Sequence, residues 1–269
     1  MVVGGGPAGL TAALVLGRAR RRVVVVDDRT YRNARVREFH GFPGRDAQDP
    51  RVLRSDVHWE LERYGVGIRF TAVRSVGPSG TRVGVRLADG TALTADRLVL
   101  ATGVADELPA VEGLIERWGL SAFNCPFCDG WEHRDRPVVV LDAAPGADHL
   151  ATMLRSWTDD VTVVPVADVR RLVGPPGGLD GIELADGSVL PADGVFVRAP
   201  LRPRSGLAAE MGCALDDGGF VVADDTGLTS NPAVWAAGDL RRPPPLPHQV
   251  VLAAADGANA AIAIHKSLL

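Results

Sequence analysis

What the chain has little of narrows its possible uses first. Three cysteines among 269 residues are too few for the disulfide framework of a small secreted domain. Two of them stand as Cys125-Pro126-Phe127-Cys128, so catalytic use in a reducing compartment is expected. Nowhere do eighteen or more apolar residues run together, which excludes a spanning helix. Met1-Val2-Val3-Gly4 lacks the charged-then-apolar build of a signal peptide, so a cytoplasmic protein is expected. A net charge of −4 leaves no basic footprint for nucleic acid or an anionic membrane, and small molecules or proteins remain as partners. Lysine is almost absent, Lys266 being the only one; arginine replaces it as a compositional bias, and no mechanism attaches to it.

The length suffices for two modest domains, each with its own core. The first announces itself at once. Val2-Val3 runs into Gly4-Gly5-Gly6-Pro7-Ala8-Gly9, then an Ala/Leu-rich helix to about Arg18, then a strand Val23 to Val26 ending in Asp27. This is a dinucleotide fingerprint in its required setting. Glycines let backbone approach a pyrophosphate, the helix N-terminus holds the anion, and an acid about 20 residues on accepts from a ribose hydroxyl. The first strand is short against the usual length of about five residues, so further residues upstream are expected.

Residues 31 to 50, with Asn33 and His40-Gly41-Phe42-Pro43-Gly44, read as a long loop, and Pro50 to Tyr64 as an amphipathic helix. Strands follow at Ile68 to Val73, Arg82 to Leu87 and Ala92 to Leu93. A buried strand then ends in Ala101-Thr102-Gly103, where small residues suit close approach to a cofactor. Ala105 to Gly113 is a linker and marks a domain boundary. Beyond it lie Cys125-Pro126-Phe127-Cys128-Asp129-Gly130 and a second β-α-β, with strand Val138 to Leu141, helix Ala147 to Trp157 and strand Val161 to Val164. Its turn, Asp142-Ala143-Ala144-Pro145-Gly146-Ala147-Asp148, has one glycine and two acids where pyrophosphate would lie, so NADPH is not expected to bind. A hairpin Gly181 to Leu190 and a strand Gly219 to Val222 precede Ala233-Val234-Trp235-Ala236-Ala237-Gly238-Asp239. His248-Gln249-Val250 opens a last helix to about Lys266. Asp239 beside that helix N-terminus offers an acceptor to a ribityl hydroxyl and a positive dipole to a flavin pyrimidine.

Two thiols at Cys-x-x-Cys spacing can close a small disulfide ring, and exchange needs a thiolate to attack and a proton for the sulfur that leaves. Asp129 is placed to move that proton. Zinc would need two further ligands, and only His133 and the distant Cys213 are on offer. Covalent haem would need histidine directly after Cys128, and Asp129 stands there. Cys213 reads as a small buried filler, Trp131 and Trp235 as packing residues, and His40 as a solvated loop histidine. His248 is open between a contact to substrate or flavin and a hydrogen-bonding cap.

Taken in order, Gly4 to Gly9 with Asp27, Ala101-Thr102-Gly103, Cys125-Pro126-Phe127-Cys128-Asp129-Gly130, Ala237-Gly238-Asp239 and His248-Gln249-Val250 resemble the low-molecular-weight thioredoxin reductase family. The resemblance implies an α/β protein of two domains, with a split Rossmann-type FAD domain (residues 1–106 and 205–269) and a smaller inserted domain (107–204) carrying the disulfide. It implies a homodimer, FAD held through Gly4, Gly6, Pro7, Ala8, Gly9, Asp27, Thr102, Gly103, Gly238, Asp239, His248, Gln249 and Val250, and no metal. By position Cys128 would face the flavin, Cys125 would meet the substrate, and Asp129 would be the acid/base. The missing nucleotide motif resembles the offshoot that oxidises small dithiols and passes electrons to oxygen. A thioredoxin-disulfide reductase fed by NADPH, ferredoxin or another donor, acting on a thioredoxin-like protein, is the alternative. A flavin redox sensor without turnover is the reading from another class.

Overall fold

The computed structural model describes residues 1–269. Its chain divides into two compact units, one of Met1–Ala34, Pro50–Ala105 and Arg202–Leu269, the other of Arg35–Asp49 and Asp106–Leu201. A first segment unbroken to residue 106 is therefore not what forms. Arg35–Asp49, read from the sequence as a loop of the first domain, belongs to the second unit. The chain changes units at 105/106 and 201/202, where the sequence suggested 106/107 and 204/205.

The first unit is built on five parallel strands in the order Val234–Ala236, Leu98–Leu100, Val2–Val3, Val24–Val26, Gly67–Arg69. Parallel strands covered on both faces need apolar residues throughout, which is why Val2, Val25, Leu98 and Val234 are fully buried. Helix Pro7–Arg18 begins with proline at its first turn, where a missing N–H costs nothing, and buries Ala8, Leu10, Ala12, Ala13 and Leu16. It packs against the last helix, Val250–Lys266, through small residues. A Cβ on Gly257 would overlap the Ala8 carbonyl oxygen, so the two backbones touch. A three-stranded antiparallel sheet, Val73–Ser79, Arg82–Leu87 and Ala92–Ala95, completes this unit.

The second unit repeats the parallel theme in the order Val161–Pro165, Val138–Asp142, Gly194–Val197, Ala122–Phe123. Helix Ala147–Leu154 covers it through Ala147, Leu150, Ala151 and Leu154. An antiparallel sheet of Val169–Val173, Gly181–Leu184 and Val189–Pro191 follows.

Three sequence expectations are corrected. Gly219–Val222 is not a ladder strand. Asp216 accepts the N–H groups of Gly218 (2.9 Å) and Phe220 (2.8 Å), an Asx-type arrangement that takes the donors a ladder would use, and only the bridge Leu215 to Val221 remains. Ile68 to Val73 is broken by a turn in which Thr71 N–H bonds to the Arg69 carbonyl, 3.1 Å, leaving Gly67–Arg69 and Val73–Ser79 in different sheets. The helix expected to reach Trp157 stops at Leu154. No helix is long and apolar enough to cross a membrane.

Candidate functional site

In the first unit the glycine turn is a cradle whose positions do different jobs. Gly4 has φ +106° and Gly9 lies so close to it that a Cβ on Gly9 would overlap the Gly4 oxygen. Both are needed for the turn to close. Gly6 caps helix Pro7–Arg18 in an extended conformation, and a Cβ there would meet nothing within 4 Å. The space before the helix N-terminus is thus open, and its unpaired N–H groups suit a pyrophosphate. Ala8 is buried against the Cβ-less face of Gly238, where an added carbon would come 2.9 Å from the Ala8 methyl. Its part is to seat the two glycine turns together.

Asp27 is 3% exposed and already accepts from Gly5 N (3.1 Å), Arg29 N (3.1 Å) and the Tyr31 hydroxyl. A carboxylate has about four acceptor positions, so room for a ribose hydroxyl is narrow. Burial, followed by the bond to Asp27, raises the Tyr31 pKa and keeps it a donor. Arg54 lies over the Tyr31 ring, 4.0 Å from its centroid. Neither Tyr31 nor Arg54 carried a motif signal.

The opposite wall is set by Thr102, Gly103, Gly238 and Asp239. Thr102 donates its hydroxyl to the Arg204 carbonyl at 2.7 Å, so the side chain holds the loop. Gly103 has φ +66° and open space at its α-carbon. Asp239 pairs with Arg32 at 3.4 Å. Beneath them Asp256, 5% exposed, accepts from Gly238 N at 3.2 Å and from Arg242 at 2.9 and 2.8 Å. Breaking such a buried pair costs roughly 3–5 kcal/mol, and it fixes the Gly238 turn. Its sequence signal was an acid inside an otherwise small and apolar helix. Gln249 stands at the N-cap of helix Val250–Lys266, and His248 Nε2 lies 2.7 Å from the Arg242 carbonyl oxygen, a bond that ties the histidine to the preceding loop. Open space at Gly6 and Gly103, two helix N-termini and acids at Asp27 and Asp239 fit the phosphates and hydroxyls of FAD.

In the second unit Cys125 and Cys128 are joined as a disulfide across one helical turn, with Cα atoms 5.3 Å apart. Pro126–Asp129 is that turn, at the end of strand Ala122–Phe123. Cys128 and Asp129 both donate their N–H to the Cys125 carbonyl, 3.1 and 3.2 Å, so the geometry is local and written in the motif. Gly130 is required because the Trp157 ring lies against it, 3.0 Å from where a Cβ would sit. The Asp129 pKa is pushed up to about 7, by burial first and by the Glu132 charge second. A carboxyl in that range can give or take a proton near neutrality. Trp131, read as a packing residue, is instead 62% exposed under Arg134, whereas Trp235 is buried at 3%. Cys213 is buried in the first unit, 3.3 Å from the Thr229 hydroxyl. No group of three His, Cys, Asp or Glu side chains gathers as a metal site.

The second β-α-β turn keeps a glycine at the helix N-cap and lacks the other glycines of the first. Its lone glycine, Gly146, has φ +104°, and a Cβ there would come 3.0 Å from Arg198 Cζ and 3.2 Å from its Cδ. The Arg198 side chain therefore lies across the start of helix Ala147–Leu154, where a nucleotide phosphate would rest. Asp142 and Asp148 are exposed on either side.

Residues 1–175 and 158–257 match the pyridine nucleotide-disulphide oxidoreductase family. Thioredoxin reductase tcpT of Claviceps purpurea is 30% identical over 276 residues, 89% of this chain and 85% of that protein. A relative named as a thioredoxin reductase in Arthroderma benhamiae is 39% identical over 148 residues, 52% of this chain and 37% of that one. The crystal structure of HlmI has a TM-score of 0.93 and 39% identity, covering 99% of this chain and 91% of its own.

Proposed function

The chain belongs to the pyridine nucleotide-disulphide oxidoreductase family, as a thioredoxin reductase-like, FAD-dependent oxidoreductase acting on sulfur, and we propose that within it the chain is an NADPH-independent dithiol oxidase. The observation that carries this reading is the second β-α-β turn, with Arg198 laid over Gly146. FAD would be held by Gly4, Gly6, Pro7, Gly9, Asp27, Thr102, Gly103, Gly238, Asp239, Gln249 and Val250, with Ala8 and His248 seating the turns. When bound, FAD supplies a two-electron acceptor for the reduced cysteine pair and passes the electrons on.

The protein's own residues handle the sulfur and the proton. A substrate thiolate bonds to Cys125 Sγ as the Cys125–Cys128 bond breaks, and Cys128 leaves with the electron pair. The second substrate thiolate then attacks the substrate sulfur held on Cys125. This closes the substrate disulfide, and Cys125 departs with its pair and takes the Asp129 proton. The substrate loses two electrons and the cysteine pair gains them. Of the two protons given up by the substrate, one is regained through Asp129 and the other goes to solvent, since Cys128 stays a thiolate. In this reading the donor is a small dithiol, oxygen is the final acceptor, and the enzyme is a cytoplasmic homodimer.

The printed name of the Claviceps relative favours a second reading, a reductase that runs the same exchange in reverse on a thioredoxin-like protein. Anaerobic mixing of the flavin-loaded protein with NADPH, NADH and dithiothreitol in separate experiments, followed by flavin absorbance, separates the two. The dithiol should bleach the flavin and the nucleotides should not. Bleaching by NADPH within milliseconds would replace the oxidase with a reductase, and a single stoichiometric reduction without turnover in oxygen would leave a sensor.

A further inference from the structure

The redox turn is tied at both ends to one imidazole. His133 stands four residues beyond Asp129 with its side chain 11% exposed, and its Nδ1 lies 2.6 Å from Asp193 Oδ2. Arg136 donates to the other oxygen of Asp193 at 3.1 Å, so the carboxylate is fixed from a second side. A Cβ on Gly194 would come 2.9 Å from the His133 Nδ1 and 3.0 Å from its Cγ and Cε1. The ring therefore rests on bare backbone at the start of strand Gly194–Val197. It also meets Phe123, 5.2 Å between centroids, and Phe196, edge-on at 6.0 Å. These two phenylalanines are register partners in neighbouring strands, and Phe123 precedes Cys125 by two residues. From the other side, backbone bonds run from His133 back to the same cysteine. His133 N–H donates to the Gly130 carbonyl (3.2 Å), Gly130 N–H to the Pro126 carbonyl (2.8 Å) and Asp129 N–H to the Cys125 carbonyl (3.2 Å). The strand that enters the turn and the segment that leaves it meet at this side chain.

We infer that His133 is a positioning residue that sets how readily the Cys125–Cys128 disulfide opens, by holding both ends of the turn where the sulfurs meet. The need for such a clamp follows from the sheet. Ala122–Phe123 is an edge strand of two residues, paired on one side only, and so short a ladder fixes the start of the turn weakly. Reduction puts two electrons into the S–S bond and leaves two separate thiols. From then on only the surrounding frame keeps the sulfurs near each other. Held near, either thiolate attacks a mixed disulfide on the other at high effective concentration, and the pair closes. With the frame loosened, the attack of an outside thiol is chemically unchanged while closure is disfavoured, so the equilibrium moves toward the open dithiol. Asp193 and Gly194 share this role, as the anchor of the ring and the gap that seats it. The sequence alone offered His133 only as a lone candidate for zinc, because its anchor lies 60 positions on.

The inference rests on the reading of Cys125 and Cys128 as a redox pair, and one titration tests both. Flavin-loaded protein is equilibrated without oxygen in mixtures of reduced and oxidised dithiothreitol, quenched in acid and alkylated, and the closed fraction is read by mass. Each protein disulfide that opens converts one dithiothreitol to its cyclic disulfide, so electrons and protons balance. His133→Asn keeps a donor for Asp193 and loses the ring against Phe123. Asp193→Ala keeps the ring and loses its anchor, and Gly194→Ala pushes the ring off the strand. Each should shift the equilibrium toward the dithiol by on the order of tenfold, about 30 mV for a two-electron couple. Gly194→Ala added to His133→Asn should change little further, because its methyl then meets no ring. As a control, Ile182→Ala empties a fully buried position in the antiparallel sheet of the same unit. It should lower the melting temperature and leave the midpoint in place, which a merely structural part for His133 would not distinguish. Midpoints of the three single variants within about twofold of the wild type, or a shift in Ile182→Ala as large as theirs, would overturn the inference. A wild-type pair that no mixture opens would sink the redox reading itself, and the inference with it.

Discussion

Two strand-helix-strand units of this chain share a topology and diverge in what they can hold. Around Val2–Val3 and Val24–Val26 the turn is Gly-rich, the helix start is open, and the following acid is sequestered by backbone and by Tyr31. Around Val138–Asp142 and Val161–Pro165 the strands are just as apolar and the pairing just as regular, yet the turn carries proline, acids and an arginine across its one glycine. The apolar strands decide the fold and a handful of turn positions decide the ligand. In the second unit the chemistry proposed for the chain lies away from that turn, on the helical turn of Cys125, Cys128 and Asp129 at the end of a neighbouring strand.

Substitutions in the intact turn should give the largest effects. Gly9→Ala places a carbon on the Gly4 oxygen, so the turn must open. The purified protein should be colourless, take up no FAD, and melt at a lower temperature. Gly6→Ala sharpens the point, because its Cβ meets no protein atom and would fill only the space of a pyrophosphate. It should melt like the FAD-free wild type while binding FAD far more weakly in an equilibrium titration. Wild-type FAD affinity in Gly6→Ala would show that the Gly6 space is not the phosphate site.

Next in size is Asp129→Asn, which should lower dithiol-driven flavin reduction by on the order of 10²-fold at neutral pH while keeping fold and flavin. It should also change stability, with a definite sign. The folded pKa of about 7 lies above the ordinary carboxyl value, so the stability this group contributes is fully present below about pH 4 and lost as pH rises through 7. Asn cannot ionise. Denaturant midpoints of the variant and wild type should therefore separate as pH is raised between those limits, the variant gaining relative to the wild type. Parallel curves would place the Asp129 carboxyl in water.

The elements legible in sequence were those whose cause is local. Gly4 to Gly9 declared the turn, the N-terminus of the first helix and the parallel strands. The Cys-x-x-Cys-Asp spacing declared the turn, because the backbone bonds from Cys128 and Asp129 to Cys125 that shape it fall within four residues. The legibility failed where partners are far apart. Arg35–Asp49 reads as a loop of whichever unit precedes it, and only its contacts assign it to the other. Arg198 is one more arginine in an arginine-rich chain until it is seen lying on Gly146, and Asp256 acquires its role from Gly238 and Arg242. Gly219–Val222 had the composition of a strand but followed Asp216, whose side chain claimed the backbone first.

The smallest effect is expected at the position that most visibly separates the two turns. Arg198→Ala would uncover Gly146 and clear the start of helix Ala147–Leu154, which removes the most direct obstruction to a nucleotide. It would also remove a cation, while Asp142, Asp148 and Pro145 remain and the glycines of the first turn are still missing. Clearing space without restoring donors or removing repulsion supplies little affinity. NADPH binding should improve by less than about tenfold, a change worth under about 1.4 kcal/mol, and the melting temperature should stay close to that of the wild type. If isothermal titration instead found tight NADPH binding and the flavin then bleached with NADPH, a single side chain would account for the difference between the two units. The contrast would then be one of occlusion, and the turn of the second unit would still be a nucleotide site beneath its arginine.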